Sequence, residues 1–241
     1  MFFKGFMIFT GLESTSGGSF SWNGEWKKTE IIDLINKKTC SPLADVPDTI
    51  VTNDAVGVNL QGTPVFCGGV LAGKISDRCY KFTNGSWKEF TNMKQERRDA
   101  AGIMYKKEWH IFGGQKDTSL YSNTSEIISQ DGEVKKGPDL PTGFTDHAIT
   151  SYNEKVSILS GGNRHKDSLT WYYDHKTGEF TSGPKLKRAR RCHASATLVD
   201  KVTNEKIPVV AGGFGGFGKS EPYPTQQSTE ILINGEWQIG M

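Results

Sequence analysis

The 241-residue sequence lacks a strong charge of either sign, because 29 Lys and Arg residues are nearly balanced by 27 Asp and Glu residues. A nucleic-acid-binding domain normally carries a marked basic excess, so the net charge of +2 gives no indication of a nucleic-acid partner. The sequence also lacks any apolar run near the roughly 20 residues that cross a bilayer as a helix, so no membrane insertion is predicted.

Motifs of metal binding and catalysis are missing as well. The five histidines show none of the short spacings that zinc sites use. Neither a glycine-rich phosphate loop nor a nucleophile elbow occurs in the sequence. We therefore predict no metal, no cofactor and no catalytic residue.

Glycine, by contrast, is abundant at 28 residues, and part of it belongs to an internal repeat. A short apolar run that ends in two glycines recurs at intervals of about 45 to 51 residues. The glycine pairs begin at Gly68, Gly113, Gly161 and Gly212, and Phe6–Leu12 looks like a degenerate fifth copy. The repeat predicts a strand that ends at each glycine pair.

Further strands flank each glycine pair. One strand is predicted before it and two after it, joined by polar turns such as Asn84-Gly85 that favour tight hairpins. Each repeat is therefore one four-stranded unit. The five units span approximately residues 1–50, 51–95, 96–142, 143–187 and 188–241.

The repeat resembles the kelch repeat, whose marks are the double glycine, an apolar or aromatic third strand and a Trp in the fourth strand, here Trp87 and Trp237. Its style is closest to that of extracellular invertebrate kelch-repeat proteins. The resemblance implies an all-β fold, a kelch β-propeller of about five four-stranded blades in which neighbouring sheets cover one another.

The expected core between the blades consists of apolar residues from the second and fourth strands. These residues are Phe66, Trp87, Ile111, Phe112, Val134, Ile158, Leu159, Phe180, Val209, Val210 and Trp237.

The first unit begins at what reads as its second strand, so we expect the first blade to lack its inner strand and the ring to be incomplete or open. Kelch propellers usually close with six or seven blades, which implies either that the chain is a fragment of a longer protein or that it forms a strained ring of five blades. Open blade edges also favour self-association.

Homologous positions stand where the inner strands begin, at Asp54, Asp99, Asp146 and Cys192. Inner strands start near the central channel of a propeller, so the three carboxylates are predicted to line one of its mouths. In kelch-type substrate adaptors, residues near these strand starts contact the bound peptide. By this resemblance the candidate partner-binding residues are Asp54, Arg98, Asp99, Asp146, Arg191 and His193. The alternative is that they cap strand ends and pair with one another.

Two loops that follow glycine pairs supply four more candidates. Arg164 and His165 lie in a short charged loop, and Phe214 and Phe217 lie in a longer loop rich in Gly and Pro. Exposed aromatic residues are plausible anchors for a partner, with packing between neighbouring blades as the alternative. The basic segment 185–191 is interpreted as a solvated turn, with a basic partner-binding patch as the alternative.

Cysteine usage bears on the compartment. Cys67 ends one predicted strand and Cys79 lies in the next, antiparallel strand, so we predict a disulfide between them. Cys40 and Cys192 are expected to be unpaired and buried. The disulfide, with the sequons at Asn84 and Asn123, favours an extracellular over a cytoplasmic location.

The favoured function is a non-enzymatic interaction module that binds a protein or peptide through loops at the blade ends. One alternative is the substrate-recognition domain of an intracellular ubiquitin-ligase adaptor. The other is a galactose-oxidase-like or glycan-active propeller enzyme.

Overall fold

A computed structural model describes most of the chain after Thr52 and short stretches before it. The described residues are 2–3, 6–10, 29–33, 36, 38–39, 44, 46–47, 49, 52–117, 120–162, 168–215 and 225–240. Regular secondary structure within these ranges consists of β-strands. No helix in the described part of the chain has the length and apolar character needed to cross a membrane.

In chain order, the strands of the described residues are β1 (Phe2–Phe3), β2 (Phe6–Thr10), β3 (Thr29–Asp33), β4 (Lys38–Thr39), β5 (Thr52–Asn53), β6 (Val56–Leu60), β7 (Thr63–Cys67), β8 (Val70–Leu71), β9 (Lys74–Ile75), β10 (Arg78–Thr83), β11 (Ser86–Asn92), β12 (Ala101–Tyr105), β13 (Glu108–Phe112), β14 (Ser125–Ile128), β15 (Val134–Lys136), β16 (Ala148–Ser151), β17 (Val156–Ser160), β18 (Thr170–Asp174), β19 (Phe180–Ser182), β20 (Ala194–Val199), β21 (Lys206–Ala211), β22 (Thr229–Ile233) and β23 (Glu236–Ile239).

These strands form five four-stranded antiparallel sheets, as expected of a propeller-like fold. The sheet orders are β1-β2-β3-β4, β6-β7-β10-β11, β12-β13-β14-β15, β16-β17-β18-β19 and β20-β21-β22-β23, called sheets 1 to 5 below. In each sheet, every strand pairs with the strand that precedes or follows it in its repeat, and in sheet 2 the β8–β9 hairpin is inserted between β7 and β10. The prediction of an all-β chain with one four-stranded unit per repeat is confirmed.

The first sheet corrects one prediction. The first unit was expected to lack its inner strand, but β1 pairs with β2 through Phe2↔Met7 and Phe3↔Phe6. A strand of only two residues is enough to complete the sheet. It is too short to give an alternating pattern, which is why the sequence does not reveal it.

A small three-stranded sheet, β5-β8-β9, was not predicted. Its hairpin turns through Ala72 and Gly73, whose φ angles are 47° and 78°. Two positive φ angles define the tight turn that Asn-Gly usually supplies. With alanine in the first position, the sequence carries no recognisable signal for this turn.

The chain divides into two compact units. Unit 1 comprises 1–98, 104–110 and 126–136, and unit 2 comprises 99–103, 111–125 and 137–241. The core of unit 1 is a cluster of Val46, Phe66, Tyr80 and Trp87. Unit 2 contains two clusters, Phe112, Leu140, Phe144, Leu159 and Tyr173, and Ile158, Leu186, Val210, Leu232 and Trp237.

Most of the predicted core residues are buried. Phe66, Trp87, Ile111, Phe112, Ile158, Leu159, Val210 and Trp237 are almost fully enclosed. Val134, Phe180 and Val209 are only half-buried. Val134 and Phe180 stand at the start of three-residue outer strands, where less of a neighbouring sheet is available to cover them.

In sheets 2, 3 and 4, the second glycine of the pair donates a hydrogen bond to the loop that precedes the next sheet. The N–H of Gly69 donates to the carbonyl of Arg97 at 2.9 Å, and the N–H of Gly162 donates to that of Arg190 at 3.2 Å. Gly69 has a φ of 85°, and a Cβ there would collide with Asn53 and Thr52. Glycine is required at this position for both reasons.

Candidate partner-binding rim

The residues that begin the inner strands share an unusual backbone conformation. The φ angles of Asp54, Asp99, Asp146 and Cys192 are 58°, 52°, 53° and 49°. Aspartate is among the few residue types that tolerate this left-handed region, whereas cysteine has no special preference for it. We call each of these four positions a corner. The shared conformation shows that they are equivalent positions in their repeats.

Within unit 2 the corners are linked by backbone hydrogen bonds. The N–H of Asp146 donates to the carbonyl of Asp99 at 3.1 Å, and the N–H of Cys192 donates to that of Asp146 at 2.8 Å. The strained corners of successive sheets are thereby held side by side. We call Asp99, Asp146, Arg191 and Cys192 the rim.

Each of two corner aspartates lies near the second arginine of the following Arg-Arg doublet. In the rim, Arg191 lies 3.7 Å from Asp146, with 24% and 18% of the two side chains exposed. In unit 1, Arg98 lies 3.9 Å from Asp54. Half-exposed ion pairs at such distances contribute little to stability, and their donors and acceptors remain reachable from solvent.

The first arginine of each doublet is a feature that the sequence analysis missed. Arg190 is fully buried and donates to Glu230 at 2.8 Å, and both side chains are 0% exposed. The Glu230 carboxylate also accepts the backbone N–H groups of Lys187 and Arg188. Segment 185–191 is therefore not a simple solvated turn, because its fourth cation anchors it in the core.

The same arrangement recurs in unit 1. Arg97 donates to Glu126 at 2.6 Å, with 0% and 3% of the side chains exposed. The Glu126 carboxylate accepts the N–H groups of Lys94 and Gln95. The available signal was the recurrence of Arg-Arg before two inner strands together with a glutamate in the third strand of the same repeat.

His193, a predicted contact residue, lies beneath the rim and not on its surface. Its side chain is buried, and its Nε2 lies 2.9 Å from Oγ of Ser160. Burial lowers the pKa of His193 to about 3, with further contributions from Arg190 and His147. This position favours a structural role. No group of three or more His, Cys, Asp or Glu side chains in the described ranges is arranged to hold a metal ion.

Cys192 is unpaired, as expected, but the prediction that it is buried is wrong. The residue is exposed, and its Sγ donates to Oδ1 of Asp146 at 3.3 Å. Although the residue as a whole is exposed, partial desolvation of its sulfur, followed by the charge of Asp146, raises the pKa of the thiol to about 12. The thiol therefore stays protonated and acts as a hydrogen-bond donor to the rim carboxylate. Cys40 lies outside the described residues.

The loop after Gly213 reaches the rim through its first aromatic residue. Phe214 and Arg191 exchange two backbone hydrogen bonds, each of 2.9 Å. Two sets of candidates that were predicted separately, the strand starts and the loop, therefore meet at one place in unit 2. Arg164, His165 and Phe217 lie outside the described residues.

The predicted disulfide between Cys67 and Cys79 is present. The two cysteines are directly paired residues on β7 and β10, with Cα atoms 4.0 Å apart. The prediction rested on antiparallel neighbouring strands, and the observed register explains why it holds.

Comparisons with known proteins bear on the fold. Among solved structures, "Structure of YjhT" is similar with a TM-score of 0.75 and 11% identity, covering 88% of this chain and 77% of that chain. At this identity the likeness shows the fold alone. No protein-family model matches the chain, and a search of curated proteins finds no match. The fold and rim thus define an all-β, propeller-like protein.

Proposed function

We propose that the chain is a non-enzymatic interaction module, built of kelch-type repeats, that binds a protein or peptide through the ends of its sheets. The repeat supports the kelch assignment because double glycines, hairpin turns and fourth-strand tryptophans recur in register. The strands themselves are committed to packing, so the sheet ends are the natural place for function.

The observation that carries the proposal is the half-exposed Arg191–Asp146 pair of the rim. Backbone hydrogen bonds hold both residues in place: Asp146 accepts the N–H of Cys192, and Arg191 exchanges two hydrogen bonds with Phe214. A guanidinium offers several donors and a carboxylate offers only acceptors, so the pair matches the carbonyl and N–H groups of an extended peptide. Because the site is preorganised, little ordering entropy opposes binding.

The disulfide supports an extracellular location for this module. Structural disulfides persist in oxidising compartments and are rare in the cytosol. A ubiquitin-ligase adaptor works in the cytosol, where Cys67 and Cys79 would be reduced. The pairing of these two residues therefore favours the extracellular interaction module over the adaptor alternative.

A peptide-display experiment tests the proposed function. A random peptide library is selected on the folded, disulfide-bonded chain, and the affinities of enriched peptides are measured for the wild type and for Arg191→Gln. We expect Arg191→Gln to weaken binding at least tenfold. The matched control is Lys201→Gln, an exposed cation in the β20–β21 turn at the other end of the same sheet, which should leave affinity unchanged.

Two outcomes would reject binding at the rim. One is enriched peptides that bind Arg191→Gln as tightly as the wild type. The other is a larger loss of affinity in Lys201→Gln than in Arg191→Gln.

Self-association through exposed strand edges is part of the same proposal. Strand β20 is an edge of its sheet, contains no charged residue, and exposes Ala194, Ala196 and Leu198. Uncharged edge strands invite pairing with a second copy. We expect light scattering to detect a dimer of the wild type that Leu198→Lys abolishes, and a monomeric wild type would refute this part.

A further inference from the structure

One sequon occupies the tip of a hairpin. Asn84 and Gly85 connect β10 to β11, which begins at Ser86, and the φ angles of Asn84 and Gly85 are 51° and 76°. Asn84 is exposed, and a Cβ placed on Gly85 would meet no atom within 4 Å. The tip therefore projects into open space, with room for a large group on the Asn84 side chain.

The same hairpin carries the disulfide. Cys79 lies in β10, five residues before Asn84, and is bonded to Cys67. Disulfide formation and N-linked glycosylation take place in the same secretory compartment. The disulfide and the sequon are independent features of the chain, and both are suited to that compartment.

We propose that Asn84 is an acceptor for an N-linked glycan. The proposal rests on the extracellular location inferred above, but not on partner binding at the rim. The donor is a lipid-linked oligosaccharide diphosphate. The amide nitrogen of Asn84 bonds to the anomeric carbon of the sugar, the bond from that carbon to the diphosphate oxygen breaks, the lipid diphosphate leaves with the electron pair, and the amide loses one proton.

The second sequon differs in the state of its hydroxyl. Ser125, the third residue of the sequon at Asn123, is buried and donates its hydroxyl to the carbonyl of Pro138 at 2.6 Å. Ser86 is half-exposed and makes only a 3.5 Å contact with the carbonyl of Thr83. The sequon requires this hydroxyl, so folding closes the site at Asn123 and leaves the one at Asn84 open.

A glycan on Asn84 leaves the corner at Asp54 and Arg98 accessible. The start of β10 lies at that end of the sheet, because the carbonyl of Arg78 accepts the N–H of Gly68, and Arg97 donates its N–H to Ser76. Asn84 follows the other end of β10, a strand of six residues. Six residues of extended chain span roughly 20 Å, so the modified tip and the corner are well separated.

The chain contains a matched control for this site. Asn234 and Gly235 form the equivalent turn between β22 and β23, with φ angles of 53° and 78°. Asn234 is exposed, and a Cβ on Gly235 would also meet nothing within 4 Å. The third residue is Glu236, so the natural turn is not a sequon, and Glu236→Thr makes it one.

The experiment expresses the chain behind a cleavable secretion signal in a eukaryotic host. The secreted protein is treated with peptide N-glycosidase in heavy-oxygen water and mapped by mass spectrometry for asparagines converted to labelled aspartate. A sample without the enzyme measures the spontaneous deamidation to which the Asn-Gly sequences are prone, and this background is subtracted. We expect conversion at Asn84 in most wild-type molecules, a lower fraction at Asn123, and none at Asn234. Ser86→Ala should abolish conversion at Asn84, and Glu236→Thr should create it at Asn234.

The proposal is overturned if the secreted, disulfide-bonded wild type carries an unmodified Asn84 while Asn234 of the Glu236→Thr variant is modified. It is equally overturned if neither turn is modified although a co-expressed glycoprotein carries its glycan. Loss of peptide binding at the rim has no bearing on either outcome, so the two proposals fail separately.

Discussion

The two arginines of each Arg-Arg doublet are neighbours in sequence and opposites in environment. Arg190 is fully buried against Glu230, whereas Arg191 is 24% exposed beside Asp146. Arg97 and Arg98 repeat this division in unit 1. The comparison teaches that one cation of the doublet is built into the fold, while the other is presented at the end of the sheet.

Other sheets fill the position of the buried pair differently. In sheet 4, Phe144 stands where Arg190 stands in sheet 5, and it packs among Phe112, Leu140 and Tyr173. In the second repeat, Thr52 and Tyr80 take the two positions, and Cys79, which forms the disulfide, directly precedes Tyr80 in β10. An ion pair and an aromatic cluster thus fill this position in different sheets, while sheet 2 is crosslinked one position away by the disulfide between Cys67 and Cys79.

The largest effect is expected from removal of the buried carboxylate. Glu230→Ala removes the carboxylate that balances the buried Arg190 cation and accepts two backbone N–H groups, and breaking such a pair costs about 3–5 kcal/mol. Urea unfolding measures the free energy. The control is Glu236→Ala, since Glu236 is largely exposed and its removal should cost almost nothing. Equal stability of Glu230→Ala and the wild type would contradict the comparison.

Replacing the whole pair should cost less than breaking it. In Arg190→Met combined with Glu230→Leu, no charge is left buried, so we expect about 1–4 kcal/mol of the loss in Glu230→Ala to be recovered. A double-mutant cycle measures the coupling: the free energies of unfolding of Arg190→Met, Glu230→Leu and the double variant are compared in urea. Strictly additive losses would mean that Arg190 and Glu230 do not act as a unit.

Reduction tests the anchor of sheet 2. The bond between Cys67 and Cys79 closes a loop with a sequence separation of 12 residues, and such crosslinks contribute about 2–4 kcal/mol. We expect Cys67→Ala combined with Cys79→Ala to lose this amount in unfolding measurements without reductant. Adding reductant to the wild type should reproduce the loss, and a variant as stable as the oxidised wild type would exclude the disulfide as an anchor.

A fall in pH should lower the free energy of unfolding through His193, which is buried near Arg190. The folded pKa of His193 is about 3, below its ordinary value of 6.5, so its neutral form stabilises the fold above pH 6.5 and this contribution is lost as the pH falls. Between the two pKa values, the free energy of unfolding is expected to fall by on the order of 1 kcal/mol per pH unit. In urea unfolding, the stability of His193→Gln should fall less steeply than that of the wild type as the pH is lowered from 7 to about 4.5. His110, whose pKa is lowered to about 4 by burial, affects both proteins equally, so identical slopes would refute the role of His193.

The smallest change in stability is expected at the rim itself. Arg191→Gln removes a half-exposed pair with a 3.7 Å separation, which is worth less than about 1 kcal/mol. Arg190→Gln should lose several times more in the same urea titration. Similar losses of stability in the two variants would contradict the distinction between a buried Arg190 and a partly exposed Arg191.

The repeat made the fold predictable, and the exceptions have physical reasons. Glycine pairs and hairpin turns located the sheets from Asp54 onward, because only a few residue types fit positive φ angles. Strand β1 has two residues and β8–β9 turns through Ala72, so neither produces a pattern. The disulfide was predictable because its cysteines lie on adjacent antiparallel strands.

The candidate site was predictable only in part. The shared register of the corner aspartates can be read from the repeat. The burial of an individual side chain cannot be read from it. Arg190 and Arg191 are the same residue type one position apart, and only the glutamate of a distant strand decides which is buried. His193 was misjudged for a similar reason, since it turns inward to Ser160 directly before β20, while its neighbour Cys192 stays exposed.

Hydrogen exchange tests the central claim, that a partner meets the rim, most directly. A peptide selected on the wild type is added, and backbone exchange is compared with and without it. We predict slower exchange in residues 145–147 and 190–193 and no change in the turns at 153–155 and 200–205, at the other ends of the same strands. Protection of those turns with an unchanged rim would contradict the account.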